Sequence, residues 1–176
     1  MGKIKTFLLV ILSIILVGCN GTDVSLPDFS SSGFECEFSY LCDGTNVRAT
    51  LMASAPNADG TKRDITLTFA EPHSLSGIRI ERKDGKISAH AEDIEWQCED
   101  LDALLEVTEL FEISGEISAS SIDEIAGETC NRIVIKKEDG SASDVYISSK
   151  NSLPLRICGN VSWRYVELNI IRFERK

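Results

Sequence analysis

The segment FECEFSYLC has an apolar residue at every second position. Because successive side chains of a strand point to opposite faces, this pattern predicts a β-strand with one buried face. The dipeptide Asp43-Gly44 follows directly and favours a two-residue hairpin turn into a second alternating segment. A chain that repeats this unit is restricted to antiparallel β architectures. The apolar positions of the first segment are Phe34, Cys36, Phe38, Tyr40 and Cys42.

The same alternation recurs along most of the chain. Apolar residues alternate in RDITLTF, and again on either side of a second hairpin signal at Asp84-Gly85. Further strands are expected over residues 113–119, 130–137, 145–148, 155–158 and 162–173, with turns at 138–140 and 159–160. The alternating apolar positions from the first hairpin to the strand after the second are Val47, Ala49, Leu51, Ala53, Ile65, Leu67, Phe69, Ile78, Ile80, Ile87 and Ala89.

One segment, DLDALLEVTELF, departs from this period. Its apolar side recurs at helical spacing, and Asp100 is a suitable N-cap, so the pattern predicts a helix over residues 100–111. We therefore expect a mainly β (α+β) fold: a curved antiparallel sheet, or unclosed half-barrel, with one main helix packed in or across its concave face. The residues on the helical stripe are Leu101, Leu104, Leu105, Thr108 and Phe111.

The chain begins with a basic segment, MGKIK, followed by an apolar run from Phe7 to Val17 that only Ser13 interrupts. A transmembrane helix needs ~20 apolar residues, so this run has the length of a signal-peptide core. Residues 1–18 are accordingly predicted to be a signal peptide. An ordinary signal peptide followed by a chance cysteine is the alternative to the more specific assignment below.

The run ends in Leu16-Val17-Gly18-Cys19, which resembles a bacterial lipobox: an aliphatic residue, a small or aliphatic residue, glycine and cysteine. The resemblance implies that the Cys19 thiol receives a diacylglycerol and becomes the lipidated N-terminus. It also implies a location at the bacterial cell membrane, on the extracytoplasmic face. Acyl chains contribute about 0.8 kcal/mol per buried CH₂, so two or three of them anchor a protein firmly.

Residues 19–33 follow as the lipidated cysteine and a polar segment that is typical of a flexible tether, and the folded domain is placed at 34–176. Removal of Lys3 and Lys5 with the leader changes the formal net charge from −10 to −12. A surface this acidic argues against nucleic acid as a partner and against a polybasic attachment to anionic lipid. We expect a monomer attached to the membrane through lipidated Cys19.

The segment ITLTFAEPHSLSGIRIERKDGK has a strand, a proline, a short turn, a strand and a DG hairpin in this order. This order, together with the helix ending in LF and Leu153-Pro154 before a late strand, resembles the LolA/LolB-like lipoprotein-localisation fold and its Gram-positive lipoprotein relatives. The resemblance covers residues 34–174. It implies an unclosed barrel with a hydrophobic concavity that holds a lipid, an acyl chain or a lipidated partner.

The candidate lining of that concavity combines the alternating strand residues with the helical stripe. A structural or regulatory surface lipoprotein, which has a filled core and binds a protein through its acidic side, is the alternative function. The lining set is Phe34, Phe38, Tyr40, Leu51, Leu67, Phe69, Ile78, Ile80, Leu101, Leu104, Leu105 and Phe111.

Five cysteines remain after Cys19, an odd number, and none stands in a CxxC motif. Cys36 and Cys42 lie on one predicted strand, about 20 Å apart, beyond the ~7 Å that a disulfide allows between Cα atoms. Buried thiols, disulfides with remote partners and a metal site are the open interpretations, with burial favoured. The others are Cys98, Cys130 and Cys158.

Catalytic groups are scarce. His73 and His90 are the two near-neutral bases, and no GxSxG motif occurs, so we expect no enzyme, no catalytic residue, no metal and no cofactor. Between Ile87 and Asn131 the chain carries 13 acidic and no basic residues. A solvated helix face is the simplest interpretation of this stretch, and a surface for calcium or a cationic partner is the other.

Overall fold

The computed structural model describes residues 29, 31–58, 60–96, 101–162 and 164–176. Within these ranges the chain forms one antiparallel sheet of eleven strands, as the hairpin signals predicted. The strands are β1 (Phe34–Cys42), β2 (Thr45–Ala53), β3 (Ile65–Glu71), β4 (Arg79–Lys83), β5 (Lys86–Ala91), β6 (Ile94–Trp96), β7 (Glu116–Ile125), β8 (Glu128–Lys136), β9 (Ala142–Ser148), β10 (Pro154–Val161) and β11 (Arg164–Arg175).

The strand order is β6-β5-β4-β3-β2-β1-β11-β10-β9-β8-β7, so the first and last strands pair at the centre and β6 and β7 form the two edges. The sheet is therefore not closed, in agreement with the expected half-barrel. Both predicted DG hairpins are confirmed: Asp43-Gly44 and Asp84-Gly85 have positive φ at each position, as a type I′ turn requires. Ala126-Gly127 makes a third turn of this kind between β7 and β8.

The predicted main helix is much smaller than expected. Leu101–Leu105 form a short α-helix, α1, and Glu106–Phe111 continue as a 3₁₀ helix. Val107 and Thr108 are β-branched, and the Thr108 hydroxyl donates to the Leu105 carbonyl at 2.6 Å, which competes with α-helical pairing. No basic residue offsets the acidic side chains in the last turn. The proposed N-cap, Asp100, lies outside the described residues.

The turn predicted at residues 159–160 was wrong, because β10 continues to Val161. Gly159 instead gives space within the strand. A Cβ atom at this position would lie 2.8 Å from Leu110 Cδ2 and 2.9 Å from Ser143 Oγ. The missing side chain lets the 3₁₀ helix approach the sheet closely.

The helical segment, residues 101–111, lies against one side of the sheet, here called the inner face. The alternating residues of β1, β2 and β3 form this face, and they bury their side chains in one apolar cluster with the helical segment. Phe111 packs against Phe38 with ring centroids 5.5 Å apart, and Phe34 stacks on Phe173 at 5.2 Å. The core thus sits between the sheet and a cover of eleven residues.

Phe29 also belongs to this core, although it lies four residues before the predicted domain boundary at Gly33. Its side chain is fully buried, and its ring meets Phe173 edge-on at 5.3 Å. The folded unit therefore includes this part of the segment that the sequence assigned to a tether. The leader, Cys19 and the remainder of the tether up to residue 28 lie outside the described residues.

Candidate functional site

The structure brings the predicted lining residues together, with one exception. Tyr40 and Ile78 are half-buried against the same apolar cluster, whereas Leu104 is 46% exposed on the solvent side of α1. The side chains of the helical segment therefore fill the inner face in this state of the protein. The buried members are Phe34, Phe38, Leu51, Leu67, Phe69, Ile80, Leu101, Leu105 and Phe111.

The inner face stays partly uncovered at the β6 edge. Ala89 of β5 is buried and pairs with Trp96, and Ala91 pairs with Ile94, so both β6 side chains lie on the inner side of the sheet. Trp96 is 37% exposed and Ile94 is 67% exposed. Two large apolar side chains therefore remain exposed on the inner side of the sheet at the β6 edge. We call this pair, Ile94 and Trp96, the β6 opening.

Three clefts lie beside the end of β2, the start of β3 and the end of β4. The first, here called the rim cleft, has a volume of about 450 Å³. Its neighbours measure about 330 Å³ and 630 Å³. Phe34 is the one predicted lining residue at the 330 Å³ cleft, and Arg82 lines both this cleft and the rim cleft. The rim cleft is lined by Pro56, Asn57, Gly60, Thr61, Lys62, Arg63, Arg82, Thr108, Glu109, Glu112, Ser114 and Lys137.

Arg63 ties the helical segment to the sheet. Its side chain is 3% exposed, Nη2 donates to Glu112 Oε2 at 3.0 Å, and Nε lies 2.8 Å from Oε1 as an ion-pair contact without hydrogen-bond geometry. Nη1 donates to the Ser54 carbonyl at 3.3 Å, and the guanidinium lies over the Phe34 ring, 5.7 Å from its centroid. This charge-assisted hydrogen bond and ion pair hold the end of the 3₁₀ helix beside the start of β3.

Arg82 lies beside this pair on β4. It is 6% exposed, and its Nε donates to the Arg63 carbonyl oxygen at 3.2 Å. Sequence reasoning missed both arginines, although a signal for Arg82 was present. Period two places it on the same face as Ile78 and Ile80, so a charged residue occupies an inward position of β4.

The acidic stretch is partly used within the molecule. Glu109 pairs with Lys62 at 2.8 Å, Glu112 pairs with Arg63, and Glu106 accepts a hydrogen bond from the Ser162 hydroxyl. All three partners belong to loops at the sheet. The carboxylates therefore hold the helical segment in place as well as facing solvent, while Asp102 stays exposed on α1.

The four described cysteines, Cys36, Cys42, Cys130 and Cys158, are free thiols, and Cys98 lies outside the described residues. Burial raises the pKa of the Cys36 thiol, and it also raises the pKa of the thiols at 130 and 158. These thiols are poor nucleophiles in the folded state. Within the described part of the chain, no three His, Cys, Asp or Glu side chains are grouped as metal ligands would be.

The two histidines stand apart. His73 is exposed in the loop after β3. His90 Nε2 lies 3.0 Å from the Ser88 hydroxyl and 3.8 Å from Glu81, on the side of the sheet away from the helical segment. Among the described residues, no helix is long and apolar enough to cross a membrane.

No protein-family model matches the sequence, and no curated protein matches it. Among solved structures, the chain is similar to an uncharacterized conserved protein from Thermus thermophilus, with a TM-score of 0.50 at 14% sequence identity. The match covers 86% of this chain and 83% of the other. The two proteins therefore share the fold of the unclosed antiparallel sheet.

Two further structures overlap at lower TM-scores. A chain of the MucA/MucB complex of Pseudomonas aeruginosa has a TM-score of 0.46 at 13% sequence identity. The match covers 85% of this chain and 54% of that one. This chain thus spans about half the length of the matched chain in that complex. A LolA superfamily protein from Nitrosomonas europaea has a TM-score of 0.40 at 8% sequence identity. The match covers 87% of this chain and 94% of that protein.

Proposed function

We propose that this protein is an extracytoplasmic lipoprotein, anchored through lipidated Cys19, that binds the acyl chain of a lipid or of a lipidated partner on the inner face. One observation carries the proposal: among the described residues, a short helical segment forms the main cover of the apolar inner face, and Ile94 and Trp96 are exposed at its β6 edge. A ligand would enter at the β6 opening and displace the helical segment. The protein performs no chemical step on its ligand.

The helical segment and an acyl chain would contribute similar free energies of apolar burial on the inner face. The helical segment buries Leu101, Leu105, Val107, Leu110 and Phe111. At about 2 kcal/mol for each buried apolar side chain, this cover contributes roughly 10 kcal/mol of burial. A chain of about fifteen methylenes contributes roughly 12 kcal/mol at 0.8 kcal/mol each. Replacement of the cover by an acyl chain is therefore close to balanced, as reversible binding requires.

Trp96 gives a direct test because it lies at the β6 opening. In a Cys19→Ala, Trp163→Phe protein, a doxyl-labelled stearate should quench the Trp96 fluorescence saturably, and unlabelled oleate should reverse the quenching. The matched control, Cys19→Ala with Trp96→Phe, retains Trp163 and measures the quenching that does not depend on Trp96. Linear, non-saturable quenching in both proteins would count against acyl-chain binding.

Anchoring is tested separately in cells. An alkyne-labelled fatty acid should be incorporated into the wild-type protein and not into Cys19→Ala, which should also leave the membrane fraction. Cys36→Ala is the control, and it should keep both the label and the membrane location. Label retained by Cys19→Ala would contradict the lipobox assignment and leave the ligand proposal untouched.

The alternative, recognition of a protein through the acidic side, rests on fewer available groups than the sequence suggested. Glu109 and Glu112 are engaged by Lys62 and Arg63 within the molecule. A partner that bound these carboxylates would have to break the ties that hold the helical segment. We therefore place the binding function on the inner face.

A further inference from the structure

The rim cleft carries an excess of positive charge in a chain of net charge −10. Among the described residues, its charged lining consists of two glutamates and four basic residues. Lys62 pairs with Glu109, and Arg63 pairs with Glu112. The two remaining cations, Arg82 and Lys137, make no ion pair with any carboxylate among residues 29, 31–58, 60–96, 101–162 and 164–176.

Arg82 is held in place by the fold. Ile65 of β3 is its partner in the β3–β4 register, and Ile87 of β5 is its partner on the other side, so β4 aligns it between two apolar residues. Only 6% of its surface is exposed, and its Nε donates to the Arg63 carbonyl. A guanidinium has five N–H donors, and the described residues use one of them.

A buried charge of this kind is costly unless its remaining donors meet acceptors. Here the other four donors belong to a side chain that lines the rim cleft and the adjoining 330 Å³ cleft. An arginine fork matches two oxygens of an oxyanion, and a lysine adds a second point charge. The surplus charge of two matches that of a phosphate group, which carries about −1.5 to −2 near neutral pH.

We propose that Arg82 and Lys137 bind a phosphate group in the rim cleft. The phosphate belongs either to the headgroup of an amphiphile whose acyl chain occupies the inner face or to free phosphate. The site itself is independent of the proposed function. The idea that an amphiphile supplies its phosphate rests on the proposed acyl-chain binding. Arg82 provides a fork of donors within the cleft, and Lys137 adds its charge from the loop after β8.

The test uses the Cys19→Ala chain, ¹⁵N-labelled and titrated with inorganic phosphate at constant low ionic strength. The Arg82 Nε–H resonance and the Lys137 backbone amide should shift saturably, with a dissociation constant in the millimolar range. Acetate, with a single charge, should bind at least threefold more weakly. Equal binding of acetate and phosphate, or no saturable shift, would overturn the proposal.

Variants give a matched comparison on neighbouring positions. Lys137→Gln should weaken phosphate binding about tenfold, while Lys136→Gln, the exposed residue before it, should change the binding less than twofold. Arg82→Gln should abolish saturable binding, and Arg82→Lys should restore part of it. Because Arg82 also donates to the backbone and its loss can unfold the chain, the two lysine variants decide the question. Equal effects of Lys137→Gln and Lys136→Gln would contradict the site.

Soluble lipids identify the source. Dihexanoyl phosphatidic acid should bind at least tenfold more tightly than inorganic phosphate if the site holds a headgroup, and the two should bind equally if it holds free phosphate. Phosphate binding that persists in a protein without saturable Trp96 quenching would support the site and contradict the acyl-chain function. Saturable Trp96 quenching in a protein that binds no phosphate would support the acyl-chain function and contradict the phosphate site.

Discussion

The two faces of the sheet use the same strands for different purposes. The inner face is apolar and covered by the helical segment, whereas the outer face carries cross-strand ion pairs such as Arg48 with Glu37 and Arg132 with Asp144. Apolar burial contributes in proportion to the area removed from water, and exposed ion pairs contribute little. The inner face therefore supplies both the stability of the fold and the surface on which a ligand would compete with the cover.

The largest difference between the faces should appear on truncation of a core ring. Phe38 is fully buried on the inner face, so Phe38→Ala should lower the free energy of unfolding by about 3–5 kcal/mol. Met52 on the outer face is 45% exposed, and Met52→Ala should cost less than about 1 kcal/mol. Urea denaturation of the two variants measures both values. Equal losses would show that the outer face is covered in solution.

The cover itself is tested at the Arg63–Glu112 pair. Glu112→Gln removes the negative charge of the ion pair with Arg63 while it keeps the side-chain volume. Because the Glu112 side chain is 46% exposed, we expect a loss of about 1–2 kcal/mol, less than the 3–5 kcal/mol of a fully buried pair. The loosened segment should also bind doxyl stearate more tightly at the β6 opening.

Glu109→Gln is the control for this change. Its partner Lys62 is 60% exposed and Glu109 is 51% exposed, so the pair should contribute almost nothing to stability. A loss as large as that of Glu112→Gln would mean that net charge on the helical segment, and not the geometry of the Arg63 pair, holds the cover. Ligand binding unchanged in both variants would separate the cover from the binding site.

The sequence predicted the strands better than the cover, for physical reasons. Period-two alternation and the glycine turns at residues 44 and 85 report local preferences that the sheet reinforces. The helical stripe at Leu101, Leu105 and Phe111 correctly identified a buried side. The length of the α-helix, however, depends on the balance between α-helical and 3₁₀ hydrogen bonding, which an apolar stripe does not report. The side-chain bond of Thr108 and the lack of a basic residue in the last turn shift this balance towards a 3₁₀ helix.

The rim cleft was harder to predict because it is assembled from distant parts of the chain. Arg63 precedes β3, Glu112 follows the 3₁₀ helix and Lys137 follows β8. Only the inward position of Arg82 was visible locally. Gly159 illustrates the opposite error: a residue that favours turns was required inside a strand, because Leu110 approaches the backbone there. Contacts between segments far apart in sequence decided each of these positions.

Buried thiols make stability depend on pH. Burial raises the pKa of Cys36 on the inner face above its ordinary value near 8.5, so above that pH the unfolded chain releases a proton that the folded chain retains. Stability contributed by this thiol is complete below pH 8.5 and falls by about 1.4 kcal/mol per pH unit above it. Urea denaturation at pH 7.5 and 9.5 measures the decline.

Cys36→Ala should reduce this dependence, and Cys42→Ala, at a half-buried position of the same strand, is the matched control. The thiols at 130 and 158 should cause part of the loss of stability above pH 8.5 in both variants, since burial raises their pKa as well. An unchanged pH dependence in Cys36→Ala would mean that its thiol gains access to solvent in the folded state. That outcome would itself indicate an open inner face.

The smallest effect is expected on the outer face, at Arg48. Its Nε donates to Glu37 at 2.6 Å, and a Glu71 oxygen lies 3.8 Å from Nη1, yet the Arg48 side chain is 42% exposed. Solvent and salt screen such a pair, and its two long side chains lose rotamer freedom when they form it. Arg48→Gln should therefore leave the urea midpoint within measurement error at 0.15 M NaCl and lower it slightly at 0.01 M. A decrease that persists at 1 M NaCl would show that the aliphatic part of Arg48 covers apolar surface, and the outer face would then share in the packing now assigned to the inner one.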